Sequence, residues 1–142
     1  MARKNPQDRG MGVFRDWVDH LRNASKDKII LVQYKTDKDE LEQLGIKNIL
    51  YLTKPEYKVI EQIASTSKEC ILLFNVNDKS NELCQKIRAK LEENGVKVNT
   101  RFRKLMFTTD MREIRGLIKY IRNKATWEEG KRVAIDIFPE KK

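Results

Sequence analysis

The sequence predicts an α/β protein built on a four-stranded, mainly parallel sheet flanked by helices. Three observations carry that reading. Short apolar runs recur at 29–32, 48–52, 69–74 and 96–99, the length of strands rather than helices. Between them lie segments whose apolar residues recur at three- and four-residue steps, so strand and helix alternate as βαβ crossovers require. The chain has 142 residues, enough for one domain that buries roughly two-thirds of its unfolded surface.

Taken in order, residues 1–12 contain Pro6, Gly10 and several basic groups without periodicity, and are expected to form a basic tail. Phe14, Trp17, Val18 and Leu21 then fall at the spacing of one helix face and predict a first helix from Val13. His20 within it stands beside charged neighbours and reads as a surface histidine, since no partner constellation for catalysis surrounds it. Ile29, Ile30, Leu31 and Val32 suit a strand buried on both faces. A short helix follows from Thr36 with Leu41 and Leu44 inward, and Gly45 ends it as a C-cap.

After the strand at 48–52, Thr53 and Glu56 have the spacing of a capping box around Pro55, with Tyr57, Ile60, Ile63 and Ala64 as the apolar side of the next helix. The strand at 69–74 leads into a helix whose inner face is Leu83, Cys84, Ile87 and Leu91 and whose end is Gly95. Beyond the strand at 96–99, residues 100–107 (TRFRKLMF) alternate in part but are crowded with base. Asp110 opens a last helix, capped with Glu113 and apolar at Met111, Ile114, Leu117, Ile118 and Ile121. These segments form one domain over 13–124. The extension 125–142 carries the two-residue alternation of Val133, Ile135 and Ile137, which suits an added edge strand or a segment docking on a partner.

Hydrophobic residues make up 39% and charged residues 36% of the chain, too apolar in its periodic segments for disorder. Cys70 and Cys84 sit in an apolar run and on a helix pattern, and read as buried free thiols of a reducing, cytoplasmic compartment rather than a bridge or zinc site. No apolar run approaches the roughly 18 residues of a membrane span, and no signal-peptide pattern is present, so no membrane partner is expected. The net charge of +9 is uneven: residues 1–28 carry +3, 29–96 carry −1, and 97–142 carry +7. A basic C-terminal third beside a near-neutral centre points to a polyanionic partner; a lysine-rich surface suited to high temperature is the alternative.

Two segments, IILVQYKTDKDELEQLGI and ECILLFNVNDKSNELCQKIRAKLEENGVKV, resemble the Toprim domain of primases, topoisomerases and the 5S rRNA maturation ribonucleases. The small stand-alone archaeal-type Toprim proteins are the most similar. In that family the first strand ends in a pattern like VEGKxD and the third in FDxDxEG. The resemblance spans roughly residues 28–121 and implies a Toprim-like, Rossmann-like fold. It also implies an active site at the carboxyl ends of the first and third strands, where a glutamate acts as general acid/base and two aspartates hold Mg²⁺.

The departures fall on those chemical groups. Gln33 stands at the glutamate position, and Asn75 and Asn77 at the two aspartate positions. Three amides keep the size of three carboxylates but remove the charge that a hard cation needs, and an amide accepts no proton at neutral pH. The expectation is a degenerate site without catalysis and without a cofactor. A weak, water-rich Mg²⁺ site on Asp37 and Asp78 is the alternative, and would support a nuclease or primase-like enzyme. Asn75 and Asn77 also suit a strand-to-helix turn on structural grounds alone, as caps of the following helix.

With catalysis removed, the remaining asset is charge. Arg112, Arg115, Lys119 and Arg122 recur along one side of the last predicted helix, with Lys124 after it and Lys131 and Arg132 in the extension. Just before that helix, Arg101, Arg103 and Lys104 bracket Phe102, a pattern that suits phosphate binding with a base stacked on the ring. The expected partner is RNA, and ribosomal RNA in particular, with ribosomal proteins as neighbours. Trp127 and Phe138 would anchor extensions that order on binding. A DNA replication or repair accessory module and a protein-interaction domain are the other readings.

Overall fold

The computed structural model describes residues 6–107 together with 113 and 114. Its helices and strands alternate as α1 (Pro6–Ala24), β1 (Ile29–Val32), α2 (Lys35–Gln43), β2 (Ile49–Tyr51), α3 (Glu56–Thr66), β3 (Glu69–Leu72), α4 (Asp78–Glu93), β4 (Lys97–Asn99) and α5 (Arg101–Phe107). The four strands form one parallel sheet in the order β2-β1-β3-β4. This is the α/β architecture that the alternation predicts.

Strand side chains alternate across the sheet, so β1, β2 and β3 each feed two cores. On one face Ile30 and Val32 of β1, Ile71 of β3 and Leu73 just beyond it pack with Trp17, Val18 and Leu21 of α1, Leu41 of α2 and Met106 of α5. On the other face Leu31, Cys70, Leu72 and Phe74 meet Val59, Ile60 and Ile63 of α3 and Cys84, Ile87 and Leu91 of α4. Each fully buried Leu, Ile or Phe contributes about 1.5–3 kcal/mol. Helices on both faces are what the continuous apolar runs of β1 and β3 require.

The glycine stops are local and obey their rule. Gly45 and Gly95 adopt φ of 82° and 83°. At each, the residue after the glycine donates back to the helix, Ile46 N–H to Leu41 O at 3.3 Å and Val96 N–H to Leu91 O at 3.0 Å. This is a Schellman closure, and the paired side chains Ile46/Leu41 and Val96/Leu91 are buried.

Several boundaries differ from the periodicity. The α1 backbone starts at Pro6, ahead of Val13, so half of the expected tail at 1–12 is helical; proline is favoured in a first helical turn. Trp17, Val18 and Leu21 are buried as predicted, while the Phe14 side chain lies outside the described residues. The Thr53/Glu56 capping box does not form. Pro55 is the N-cap of α3, with extended backbone and no side-chain cap, because a cap at Thr53 would force Lys54 into helical backbone directly before a proline. Tyr57, expected on the apolar side, is 56% exposed, and Val59 takes the buried position. Residues 101–107 resolve into helix α5. Glu113 is irregular and Ile114 is in a 3₁₀ conformation; the rest of the helix predicted from Asp110 and the strand predicted at 131–138 lie outside the described residues.

Candidate functional site

From β1 the chain leaves toward β2, and from β3 it leaves in the opposite direction toward β4. The loops at the carboxyl ends of β1 and β3 therefore part, leaving the crevice at which open α/β sheets hold ligands. Gln33 follows β1 and Asn75 lies shortly after β3, so the fold brings together two of the three residues that the sequence singled out. Both are buried, and Asp37, on the first turn of α2, is fully buried beside them.

These side chains form a buried hydrogen-bond cluster. Ile114 donates its backbone N–H to Asn75 Oδ1 at 2.7 Å. A backbone N–H can only donate, so the atom it meets is the amide oxygen and Asn75 Nδ2 points the other way. There Nδ2 donates to Gln33 Oε1 at 3.4 Å and to Asp37 Oδ2 at 3.5 Å. Gln33 Oε1 also accepts the Asn75 backbone N–H at 3.3 Å, and Gln33 Nε2 donates to the Tyr34 hydroxyl at 3.4 Å. Asp37 Oδ2 accepts the Tyr34 backbone N–H at 3.3 Å, capping α2.

Asn75 does not offer its side-chain oxygen to a divalent cation. The Asn75 oxygen is turned to a backbone donor and its amino group faces the crevice partners, which presents N–H rather than oxygen to an incoming cation. Among the described residues no group of three or more His, Cys, Asp or Glu side chains is placed to hold a metal ion. Asp37 is enclosed in the cluster, whereas Asp78 is exposed on the first turn of α4.

The two asparagines have different jobs. Asn77 is the N-cap of α4, its Oδ1 accepting the Ser80 N–H at 2.8 Å, the local role expected at this turn. Asn75 caps nothing and joins three segments of the chain.

Arg103 is a correction to the predicted basic ridge, and Phe102 is placed differently from a free ring. Arg103 is 9% exposed: its Nε donates to Phe74 O at 2.9 Å, and its Nη2 to Asn75 O at 2.7 Å and to Asn81 Oδ1. It satisfies backbone carbonyls beyond β3 and is largely withdrawn from solvent. Phe102 is half-buried, edge-on to Trp17 with ring centroids 6.4 Å apart, and its carbonyl accepts the Trp17 Nε1–H at 2.9 Å. One side of the ring is thus held by Trp17, and the part left exposed lines the groove beside α5. The reason is register: α5 turns Phe102, Arg103 and Met106 inward and leaves Arg101 and Lys104 exposed. Arg112, Arg115, Lys119, Arg122, Lys124, Lys131 and Arg132 lie outside the described residues.

Sequence reasoning also missed the groove beside α5. It encloses about 710 Å³ between α1 and α5, over the corner of the sheet where β3 begins and β4 ends. A signal existed: β4 places Lys97 and Asn99 on the face where the neighbouring strand places Ile71, a polar strand face that no core occupies.

The thiols are passive. Cys70 and Cys84 are free and buried. Burial pushes the Cys70 thiol up to about 12 from an ordinary 9.0. It also raises Cys84, where nearby Arg103 and Arg88 offset part of the rise.

No family model matches the chain. Two relatives do. The UPF0292 protein of Methanocaldococcus jannaschii is 28% identical over 110 residues, which is 73% of this chain and 86% of the relative. The UPF0292 protein of Pyrococcus abyssi is 30% identical over 106 residues, 74% of this chain and 79% of the relative. The chain belongs to the UPF0292 family. Among solved structures, a protein from Aquifex aeolicus matches this UPF0292 chain with a TM-score of 0.68 and 28% identity, covering 71% of this chain and 94% of that one. The shared fold thus takes in nearly all of that protein.

Proposed function

We propose that this UPF0292 protein is a non-catalytic RNA-binding protein with a Toprim-like fold, a cytoplasmic component of the ribosome or a factor associated with it. The observation that carries the reading is the engagement of Asn75, whose amide oxygen and amino group both bond to other parts of the chain in the crevice where Toprim-like enzymes hold their metal. Amides engaged in this way stabilise the fold, and neither the Asn75 nor the Gln33 side chain acts as a general base. The charge distribution supplies the partner: residues 97–142 carry +7, and on α5 Arg101 and Lys104 are exposed. The buried free thiols suit a reducing compartment, and among the described residues no helix is long and apolar enough to cross a membrane.

The test is sedimentation of a cell lysate at low salt. The protein is expected in ribosomal fractions and in the free pool after nuclease treatment. A protein that remains in the free pool at low salt before any nuclease is added refutes the reading.

A further inference from the structure

We infer that the groove between α1 and α5 is a seat for one unstacked nucleotide of a single-stranded RNA segment, with its base against Phe102 and Leu105 and its phosphate on Arg101 and Lys104. The inference deepens the RNA-binding reading and rests on it. The groove lies away from the β1/β3 crevice and has its own construction.

Its size is about 710 Å³, within the range of roughly 300–1,000 Å³ typical of small-molecule sites. Phe102 and Leu105 supply apolar lining, and Leu105 is 39% exposed, unusual for a leucine beside a core. Three cations line it, Lys28, Arg101 and Lys104, against one carboxylate, Glu69. Lys28 pairs with Asp27 at 3.4 Å, whereas Arg101 and Lys104 form no ion pair among the described residues. Two exposed cations without an ion pair among the described residues, beside an apolar surface, match a ligand that carries both phosphate and an aromatic face.

The sheet supplies groups for the edge of a base. Glu69 pairs in register with Lys97, and Ile71 with Asn99, so Glu69 and Asn99 share the sheet face that Ile71 turns toward α1 and α5. Asn99 Oδ1 accepts the Arg101 N–H at 2.9 Å, which orients its amino group as a donor. Glu69 is acceptor-only when ionised. An acceptor and a donor on one wall suit the Watson–Crick edge of a base, which always presents a donor next to an acceptor. The Trp17 indole N–H, bonded to the carbonyl of Phe102 behind the groove wall, reports occupancy.

The experiment measures binding of the full-length protein to single-stranded oligonucleotides and to a free mononucleotide. The R101E/K104E double variant is compared with K90E, a charge reversal on exposed Lys90 of α4, which packs on the opposite face of the sheet. Expected are a shift of the Trp17 indole resonance with single-stranded RNA, binding at least about tenfold weaker in R101E/K104E but not in K90E, and a salt slope flatter by about 1.4 for two lost contacts on a single strand. A wild-type protein that binds RNA, with both variants weakened equally, overturns the groove and leaves the RNA-binding reading standing. No RNA binding by the wild type overturns both. Tighter binding of the free mononucleotide than of the strand overturns the RNA segment as the occupant.

Discussion

Restoring one carboxylate to the crevice should damage the fold rather than rebuild a metal site. In Asn75→Asp the Oδ1 position still accepts from Ile114 N–H, 2.7 Å away in the native cluster. The former Nδ2, however, becomes an oxygen facing Gln33 Oε1 and the Asp37 carboxylate, 3.4 and 3.5 Å away. Two donor contacts become acceptor–acceptor contacts at a position 4% exposed. An unsatisfied buried polar group costs about 1–3 kcal/mol and an uncompensated buried charge about 3–5 kcal/mol. The native bonds are long, Gln33 can rotate its amino group inward, and Arg103 holds the Asn75 carbonyl at 2.7 Å, so the expected loss lies at the low end, about 2–4 kcal/mol. Domains of this size shift by about 2–4 °C for each kcal/mol, which places the change in melting temperature near 4–16 °C. Thermal unfolding by circular dichroism, with and without Mg²⁺, reads it. An unchanged melting temperature, or a deficit that Mg²⁺ erases, would refute the claim that these amides are a structural cluster.

Three further perturbations separate the roles of neighbouring residues. Arg103→Ala leaves the carbonyls of Phe74 and Asn75 without their charged donor, and a loss of about 3–5 kcal/mol is expected in urea unfolding; a loss below about 1 kcal/mol would return Arg103 to the set of available cations. Asn77→Ala removes only the bond to Ser80 N–H and should cost about 1 kcal/mol in the same assay, leaving the melting response to Mg²⁺ unchanged. The thiols should resist alkylation in the native state and react on unfolding, with Cys84 ahead of Cys70 because it lines a cavity of about 300 Å³. Their pH effect has a definite sign: raised thiol pKa values keep the folded state neutral while the unfolded chain ionises above about 9, so Cys70 contributes stability that is complete below 9 and declines as pH rises toward about 12. A Cys70→Ala variant should lose less stability than wild type between those limits.

What the sequence made legible is what short-range rules govern. Gly45 and Gly95 mark their helix ends because the backbone needs positive φ there. Asn77 announces itself as a cap because its partner, Ser80, is three residues away. The runs at β1 and β3 were readable because burial on both faces leaves no polar alternation. The crevice was locatable for a different reason: the chain reversal between β1 and β3 fixes it once the strand order is known.

The misreadings are long-range. Nothing near Arg103 in sequence shows that its guanidinium reaches back to carbonyls 28 and 29 residues earlier, and a basic helix pattern alone does not say which basic residue turns inward. The second bond of Asn75, to a backbone amide 39 residues later, is equally invisible, yet it fixes which way the amide faces. The groove escaped notice because its lining comes from α1, the start of β3, the end of β4 and α5, with no motif in any one of them.

The proposed role is to hold RNA without metal chemistry at the β1/β3 crevice. Its most direct test is equilibrium binding of the full-length protein to ribosomal RNA in Mg²⁺ and in EDTA, with the RNA recovered and sized afterwards. Binding in both conditions, with intact RNA and affinity falling steeply with salt, is the predicted result; RNA shortened in Mg²⁺ but not in EDTA, with the shortening lost in an Asp37→Ala/Asp78→Ala variant, would contradict it.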